Sequence, residues 1–587
     1  MIGLFSENSR KIMSLVGAVI FVSVVFAYLN SKYGIYYLSN DDTGIMKTYS
    51  GYATGIPTAF HAYGSYTLGL FFKGLYTVLP KVNWYSLWYI GVVILANAVI
   101  IYSIYETRNR DYRGWLKYAD FALICFLTIS ITMYGIYRIS WTITAAVSSV
   151  AGVMLLLRFV SSERNKTVFY VMSLVFFFVG QVIRGATYKS VMPFALLAIG
   201  CYALSRINRP YLSRDNAKVI LFGVLLMIPI VGIYGYGKLD SAWKQKAFPT
   251  SETSFEHYRG LYTDSWSIPY EGYEDFYESI GWDEEFYNMT RSWFFIDERF
   301  NTENLKKIAE KSAEERQITV EENGRQVFID EFWEATRDNS ARVAMSIGII
   351  VMLILSTCMT IYGVAKKKSW HDWLLMAGSE LLAVAECWWL IVVRAHFIDR
   401  AFYCAAYPAL LIGIYVMTSH FESKGKYKWM MYVPALVLTA LCTNISFGQY
   451  ISSESSERSR LSSQISVDAD TIAFNNPENF YISDTSIAGG VNLFLDMNMA
   501  GCGRNRMLWG GTGVYSKPFY ATIARFGYDE FFSENLFDEG VYYMTTISDI
   551  ESSKLMAYMR KTYGESVTAD LTEKTDNGIY IWDFKQT

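Results

Sequence analysis

Eleven stretches of roughly 20 mainly apolar residues recur along the chain, centred near Val22, Ile94, Leu127, Val150, Phe177, Leu197, Met227, Val351, Val384, Leu410 and Val437. Hydrocarbon offers no water to a backbone N–H or C=O, so each stretch must pair its own polar groups. It does so as a helix long enough to cross about 30 Å. So many stretches confine the chain to one class: mainly α, a polytopic bundle of about 11 transmembrane spans. Composition agrees, with 52% hydrophobic and 18% charged residues, where soluble domains carry about a quarter charged. A net charge of −3 leaves no basic excess for a nucleic-acid partner. The first stretch, from about Ile12 to Leu29, lacks a small-residue cleavage site and is long enough to span, so it is read as a span rather than a signal peptide.

Six cysteines (Cys125, Cys201, Cys358, Cys387, Cys404, Cys442) fall in or beside apolar stretches and Cys502 stands alone, so no disulfide framework is expected. Neither CxxC nor a His/Cys cluster occurs, which argues against structural zinc. Lys and Arg then orient the spans. Arg108, Arg110, Arg113 and Lys117 follow the second span, and Arg206, Arg209, Arg214 and Lys218 the sixth. Lys366 to Lys368 follow the eighth, and Lys424, Lys426 and Lys428 the tenth. All fall on one side with Arg10 and Lys11, which makes that side, and the N-terminus, cytoplasmic.

Three polar segments are then expected outside: 32–83, 240–340 and 449–587. The last reads as a small extracytoplasmic α/β domain, with strand-like runs at Asn479–Ile482, Val541–Met544 and Gly578–Trp582. Residues 1–448 form the transmembrane module. Tyr66–Leu79, apolar at helical spacing around Lys73 and ended by Pro80, reads as a helix lying in the membrane interface.

Chemistry is sought first where the chain leaves the first span, in Tyr36-Tyr37-Leu38-Ser39-Asn40-Asp41-Asp42-Thr43. Adjacent carboxylates repel, and partial burial raises one pKa toward that of a usable base; the alternative is a solvated acidic turn. A short N-terminus, one span, an Asp-Asp heading a long external loop, an interfacial helix, further spans and an external C-terminal domain together resemble the GT-C superfamily of integral membrane glycosyltransferases. The likeness covers the layout of most of the chain, and its one local motif is the acidic pair.

The resemblance implies a GT-C fold, a polyprenyl-phosphate-linked sugar as donor, a cell-envelope glycan as acceptor and a membrane lipid environment, in a bacterial plasma membrane. It implies an inverting transfer in which Asp41 or Asp42 deprotonates the acceptor hydroxyl. Within the superfamily the layout is most similar to O-antigen and teichoic-acid side-chain glucosyltransferases. A polysaccharide polymerase or ligase, or a lipid-linked oligosaccharide flippase, would share the many spans.

A leaving phosphate calls for cations at membrane depth. Arg184 and Lys189 after the fifth span, and Arg394, His396 and Arg400 between the ninth and tenth, are the candidates. Snorkelling end-caps would look the same. Substrate contacts are expected from His61, from Tyr258, Arg259 and Asp264 in the aromatic and acidic middle segment, and from Glu380 inside the ninth span, where a carboxyl normally faces a cavity or a partner. The middle segment's aromatic rings fit a carbohydrate-binding lid or an interfacial belt. Divalent metal could sit on two acidic residues, but monophosphate-donor members of the superfamily generally manage without, so neither metal nor cofactor is expected.

Overall fold

The computed structural model describes residues 7–52, 55–61, 63–106, 116–161, 166–207, 214–248, 250–337, 340–365, 370–420, 451–497, 504–511 and 513–586. Ten of the described helices are long and apolar enough to cross a membrane: Lys11–Tyr33, Trp84–Tyr105, Tyr118–Tyr137, Trp141–Ser161, Lys166–Ile183, Gly185–Arg206, Arg214–Ala247, Arg342–Ala365, His371–Val393 and Asp399–Ser419. Each contains one expected centre. The eleventh, near Val437, lies outside the described residues, as do Arg108, Arg110, Arg113, Arg209, Lys366 to Lys368, Lys424, Lys426, Lys428, Cys442 and Cys502.

The chain divides into two compact units. One comprises residues 1–35, 87–240 and 326–456, and the other 36–86, 241–325 and 457–587. In the first, Trp141–Ser161 is buried from Trp141 to Phe159 and forms the bundle's centre. The Lys11–Tyr33 helix instead leaves Ile12, Val16, Ile20 and Val24 exposed, as a lipid-facing helix must.

The second unit carries a five-stranded sheet. Its strands are β1 (Phe480–Ser483), β2 (Arg506–Leu508), β3 (Val541–Thr545), β4 (Val567–Lys574) and β5 (Tyr580–Gln586), in the order β2-β1-β3-β5-β4. β1 runs parallel to β2 and β3, while β5 is antiparallel to β3 and β4. β1, β3 and β5 overlap the three expected runs, β5 extending past the end of the third. β2 and β4 had no such signal, since β2 is three residues long and β4 reads Val-Thr-Ala-Asp-Leu-Thr-Glu-Lys with one buried position.

The expected boundary at residue 448 is not where the two units part, and aromatic packing explains the difference. Tyr262, Tyr277 and Trp282 from the middle segment are buried in one hydrophobic core with Phe480, Ile482, Trp509 and Tyr543 of the C-terminal segment. Trp282 stacks on Tyr277 and Phe300 with ring centroids 5.9 Å away in each case, and its indole N–H donates to the Arg299 carbonyl at 3.0 Å. Each such ring buried contributes about 1.5–3 kcal/mol. These three rings therefore serve as core, neither as a sugar-facing lid nor as an interfacial belt.

Tyr66–Val78 is a helix of 13 residues, too short to cross. It buries Leu68, Phe72 and Tyr76 while leaving Leu70, Phe71 and Val78 exposed, so both faces are apolar. A helix of that kind suits a membrane surface.

Candidate functional site

The acidic pair opens a helix, Asn40–Ser50, with Ser39 at the N-cap and Asp41 and Asp42 in the first turn. Carboxylates there oppose the helix dipole favourably, by about 0.3–1 kcal/mol each at exposed sites. Gly51 closes the helix at φ +71°, and a Cβ on it would come within 2.5 Å of the Ile56–Pro57 backbone, so the turn admits glycine alone without rearrangement. Asp42 is fully buried. It accepts from Ser39 Oγ at 3.1 Å, with the Tyr85 hydroxyl 3.5 Å from its other oxygen. Asp41 is half-buried on the same turn.

A cluster of ionisable groups forms in the same unit around Arg259, which has no exposed surface. The Thr250–Asp264 helix places Glu256 and Arg259 one turn apart, so Arg259 Nε and Nη2 both reach Glu256 Oε2, at 3.0 and 2.9 Å. Arg259 also donates to the Tyr63 hydroxyl and to Thr263 Oγ1. Its guanidinium lies 5.9 Å from the Tyr63 ring and 5.7 Å from the Trp293 ring. The Tyr63 hydroxyl comes within 3.4 Å of Asp264 Oδ2, and Lys244 Nζ donates to the His61 carbonyl.

Burial dominates the electrostatics here. It pulls the His61 imidazole down to about 3, with Lys244 and Arg259 adding repulsion. It pushes the Glu256 carboxyl up to about 7 against the attraction of Arg259. It raises the Tyr63 phenol despite Arg259, and Asp41 is among the carboxylates that raise it further. His61 is therefore a neutral ring at any physiological pH.

Trp293 adopts φ +64°, a region that costs a non-glycine residue energy and clusters at functional sites. Its carbonyl lies against Gly510, where a Cβ would stand 1.7 Å away. Tyr258, expected to meet substrate, is half-buried and packs on the aromatic core. Tyr63, Lys244, Glu256 and Trp293 join His61, Arg259 and Asp264. The Glu256–Arg259 spacing of three on a helix was the one legible sign of them.

The phosphate-binding candidates and Glu380 belong to the other unit. Arg184 caps the Gly185–Arg206 helix, with its guanidinium 4.0 Å from the Trp141 ring and a hydrogen bond to Thr142 Oγ1. Arg184 and Arg400, from different helices, both lie within electrostatic reach of Cys404, as does Glu386. Arg394 is exposed, 5.7 Å from the Trp389 ring, and His396 is half-buried. Between them Ala395 adopts φ +47°, after a π-helical turn at Trp389–Val393. Lys189 is exposed on the Gly185–Arg206 helix.

Glu380 is fully buried, and neither carboxylate oxygen has a hydrogen-bond partner among the described residues. A Cβ on Gly413 would stand 3.4 Å from Glu380 Oε1, so the helices touch there. Among the described residues no group of three or more His, Cys, Asp or Glu is arranged to hold a metal ion.

No protein-family model matches the sequence, and no curated protein sequence matches it. Solved structures show remote overlap. ArnT from Cupriavidus metallidurans is 12% identical in its apo state, over 96% of this chain and 97% of its own, with a TM-score of 0.38. Its complex with undecaprenyl phosphate gives 11% identity, 96% and 97% coverage and a TM-score of 0.37. The archaeal oligosaccharyltransferase AglB from Archaeoglobus fulgidus, with an inhibitory peptide and dolichol-phosphate, gives 9% identity over 99% of this chain and 74% of its own, with a TM-score of 0.40. Overlap at this level leaves the functional reading to the residues themselves.

Proposed function

We propose that the chain is an inverting membrane glycosyltransferase that takes a hexose from a polyprenyl-phosphate donor and adds it to a cell-envelope glycan. It would act at the outer face of a bacterial plasma membrane, with the N-terminus cytoplasmic and the C-terminal domain outside. The observation that carries the reading is the Asp41–Asp42 pair, set at the head of a helix directly after the first span, one carboxylate buried and the other reachable.

In this reading Asp41 takes the proton of the acceptor hydroxyl. The hydroxyl oxygen attacks the anomeric carbon opposite the phosphate, and the carbon–oxygen bond to phosphate breaks with its electron pair leaving on the phosphate. Asp42, held by Ser39 and Tyr85, orients the turn. Arg184, Lys189, Arg394, His396 and Arg400 would neutralise the leaving phosphate by charge-assisted hydrogen bonds. His61, Arg259 and Asp264 would meet the sugars.

The test is transfer from a labelled polyprenyl-phosphate hexose by purified full-length protein in nanodiscs. Asp41→Asn is expected to lose at least about 100-fold in kcat, in the range removal of a general base gives, and Asp42→Asn less. Full activity in the folded double variant would remove the proposed base. EDTA is expected to leave turnover unchanged; loss with EDTA and recovery with Mn²⁺ would count against the metal-free form of the reading.

A further inference from the structure

Lys47 lies on the acidic-pair helix five residues beyond Asp42, about 7.5 Å along the axis. Its Nζ meets Asp470 Oδ2 at 2.5 Å, and Asp470 belongs to the Ser453–Asn475 helix beside the sheet. The other oxygen of the same carboxylate takes Arg506 Nε at 3.1 Å and Nη2 at 2.6 Å. Arg506 is the first residue of β2, and its Nη1 also donates to Ser483 Oγ at the end of β1, at 3.2 Å. Side-chain exposure is 12% for Lys47, 4% for Asp470 and 9% for Arg506, so one dry carboxylate carries a cation on each oxygen.

A second set of contacts meets the helix near its start. Thr43 Oγ1 accepts from the Val491 N–H and the Tyr37 N–H donates to the Val491 carbonyl, each at 3.1 Å. Gly490 lets the two backbones meet, since a Cβ there would stand 2.3 Å from the Tyr37 carbonyl oxygen. A buried ion cluster contributes little net stability compared with apolar residues of the same volume. What it supplies is register, because Lys47 cannot slide without stranding a charge.

We propose that Lys47, Asp470 and Arg506 are positioning residues that hold the Asn40–Ser50 helix, and with it the Asp41–Asp42 pair, in catalytic register on the C-terminal domain. The proposal rests on the transferase reading given above and assigns that domain a part in the chemistry. An eleven-residue helix moves as a rod, so slack at Lys47 reaches Asp41, and a misplacement of about 1 Å costs on the order of 100-fold in rate.

The experiment uses the full-length protein in nanodiscs with a labelled polyprenyl-phosphate hexose. Lys47→Met, close in shape and without charge, is expected to lower kcat about 10- to 100-fold while donor KM and the thermal midpoint stay near wild type. Lys47→Arg is expected to recover most of the rate. Arg506→Lys keeps the charge and loses the forked contact; it serves as the second variant if Lys47→Met does not fold, with a smaller fall in kcat expected. Full kcat in Lys47→Met or Arg506→Lys beside inactive aspartate variants would overturn this proposal alone. A proportional fall of kcat, folded yield and thermal midpoint, with no recovery in Lys47→Arg, would also overturn it, because that is the signature of scaffolding. Full activity in the Asp41→Asn/Asp42→Asn double variant would sink the transferase reading, and this proposal with it.

Discussion

Two buried groups beside Arg259 respond to acid in opposite directions, and the cancellation can be undone by mutation. His61 has a folded-state value of about 3 against an ordinary value of 6.5. Between these the unfolded chain binds a proton that the folded chain refuses, so stability is intact above about 6.5 and is lost as pH falls. At pH 5 the loss comes to about 2 kcal/mol. Glu256, raised to about 7 from 4.5, works the other way. Its folded form holds the proton more tightly, so acidification from pH 7 to pH 5 stabilises the fold by about 2 kcal/mol. Together they should leave the wild type nearly indifferent to this interval, as far as these two groups decide. His61→Gln removes one side of the balance and is expected to gain about 2 kcal/mol relative to wild type between pH 7 and pH 5; Glu256→Gln is expected to lose about as much over the same interval. Intrinsic tryptophan fluorescence during thermal unfolding in nanodiscs, at half-unit pH steps, reads the difference as diverging midpoints. Superimposable pH profiles for His61→Gln and wild type would refute the reasoning, because an imidazole in contact with solvent would carry no such linkage.

Replacing Arg184 or Arg400 with Leu is expected to raise donor KM by about 10- to 100-fold, the usual worth of a hydrogen bond to a charged group; titration with polyprenyl phosphate should show the same loss, and unchanged affinity would return both side chains to a headgroup-facing role. Trp282→Ala is expected to destabilise the second unit by about 3–5 kcal/mol, the range for emptying an aromatic site in a core, with the effect read by urea unfolding. Gly51→Ala, forced toward left-handed φ with a Cβ 2.5 Å from backbone, should lower kcat with the helix it ends; wild-type turnover would show that the turn relaxes freely.

The spans were readable because lipid imposes one requirement, internal pairing of every backbone polar group, on each of them. Ten of the eleven centres fall inside described helices, and the eleventh, near Val437, lies outside the described residues. The acidic pair stood out in the sequence as a candidate base but not as a helix N-terminus, although Ser39 and Gly51 bracket it in the pattern of a capped helix. Less legible was the fate of the middle segment. Tyr262, Tyr277 and Trp282 look the same in sequence whether they cover a sugar, lie in a membrane interface or fill a core, and only the partners Phe480, Trp509 and Tyr543, some 200 residues later, decide it. Lys47, Asp470 and Arg506 were invisible for the same reason: ordinary charged residues become a buried trio only when three distant segments meet. Arg184 stood out because the short loops expected outside carry few Lys or Arg, and Glu380 because a carboxyl within a span is costly.

The joint core of Tyr262, Trp282 and the sheet has a bearing on biosynthesis. Residues 241–325 leave the ribosome long before 457–587 exist, so their aromatic side chains wait, on the order of ten to fifty seconds at ordinary elongation rates, for the strands that will cover them. A chain stopped by nonsense mutation between residue 325 and β1 would therefore carry the middle segment's aromatic core without the sheet that covers it, and is expected to be cleared faster than the full-length protein.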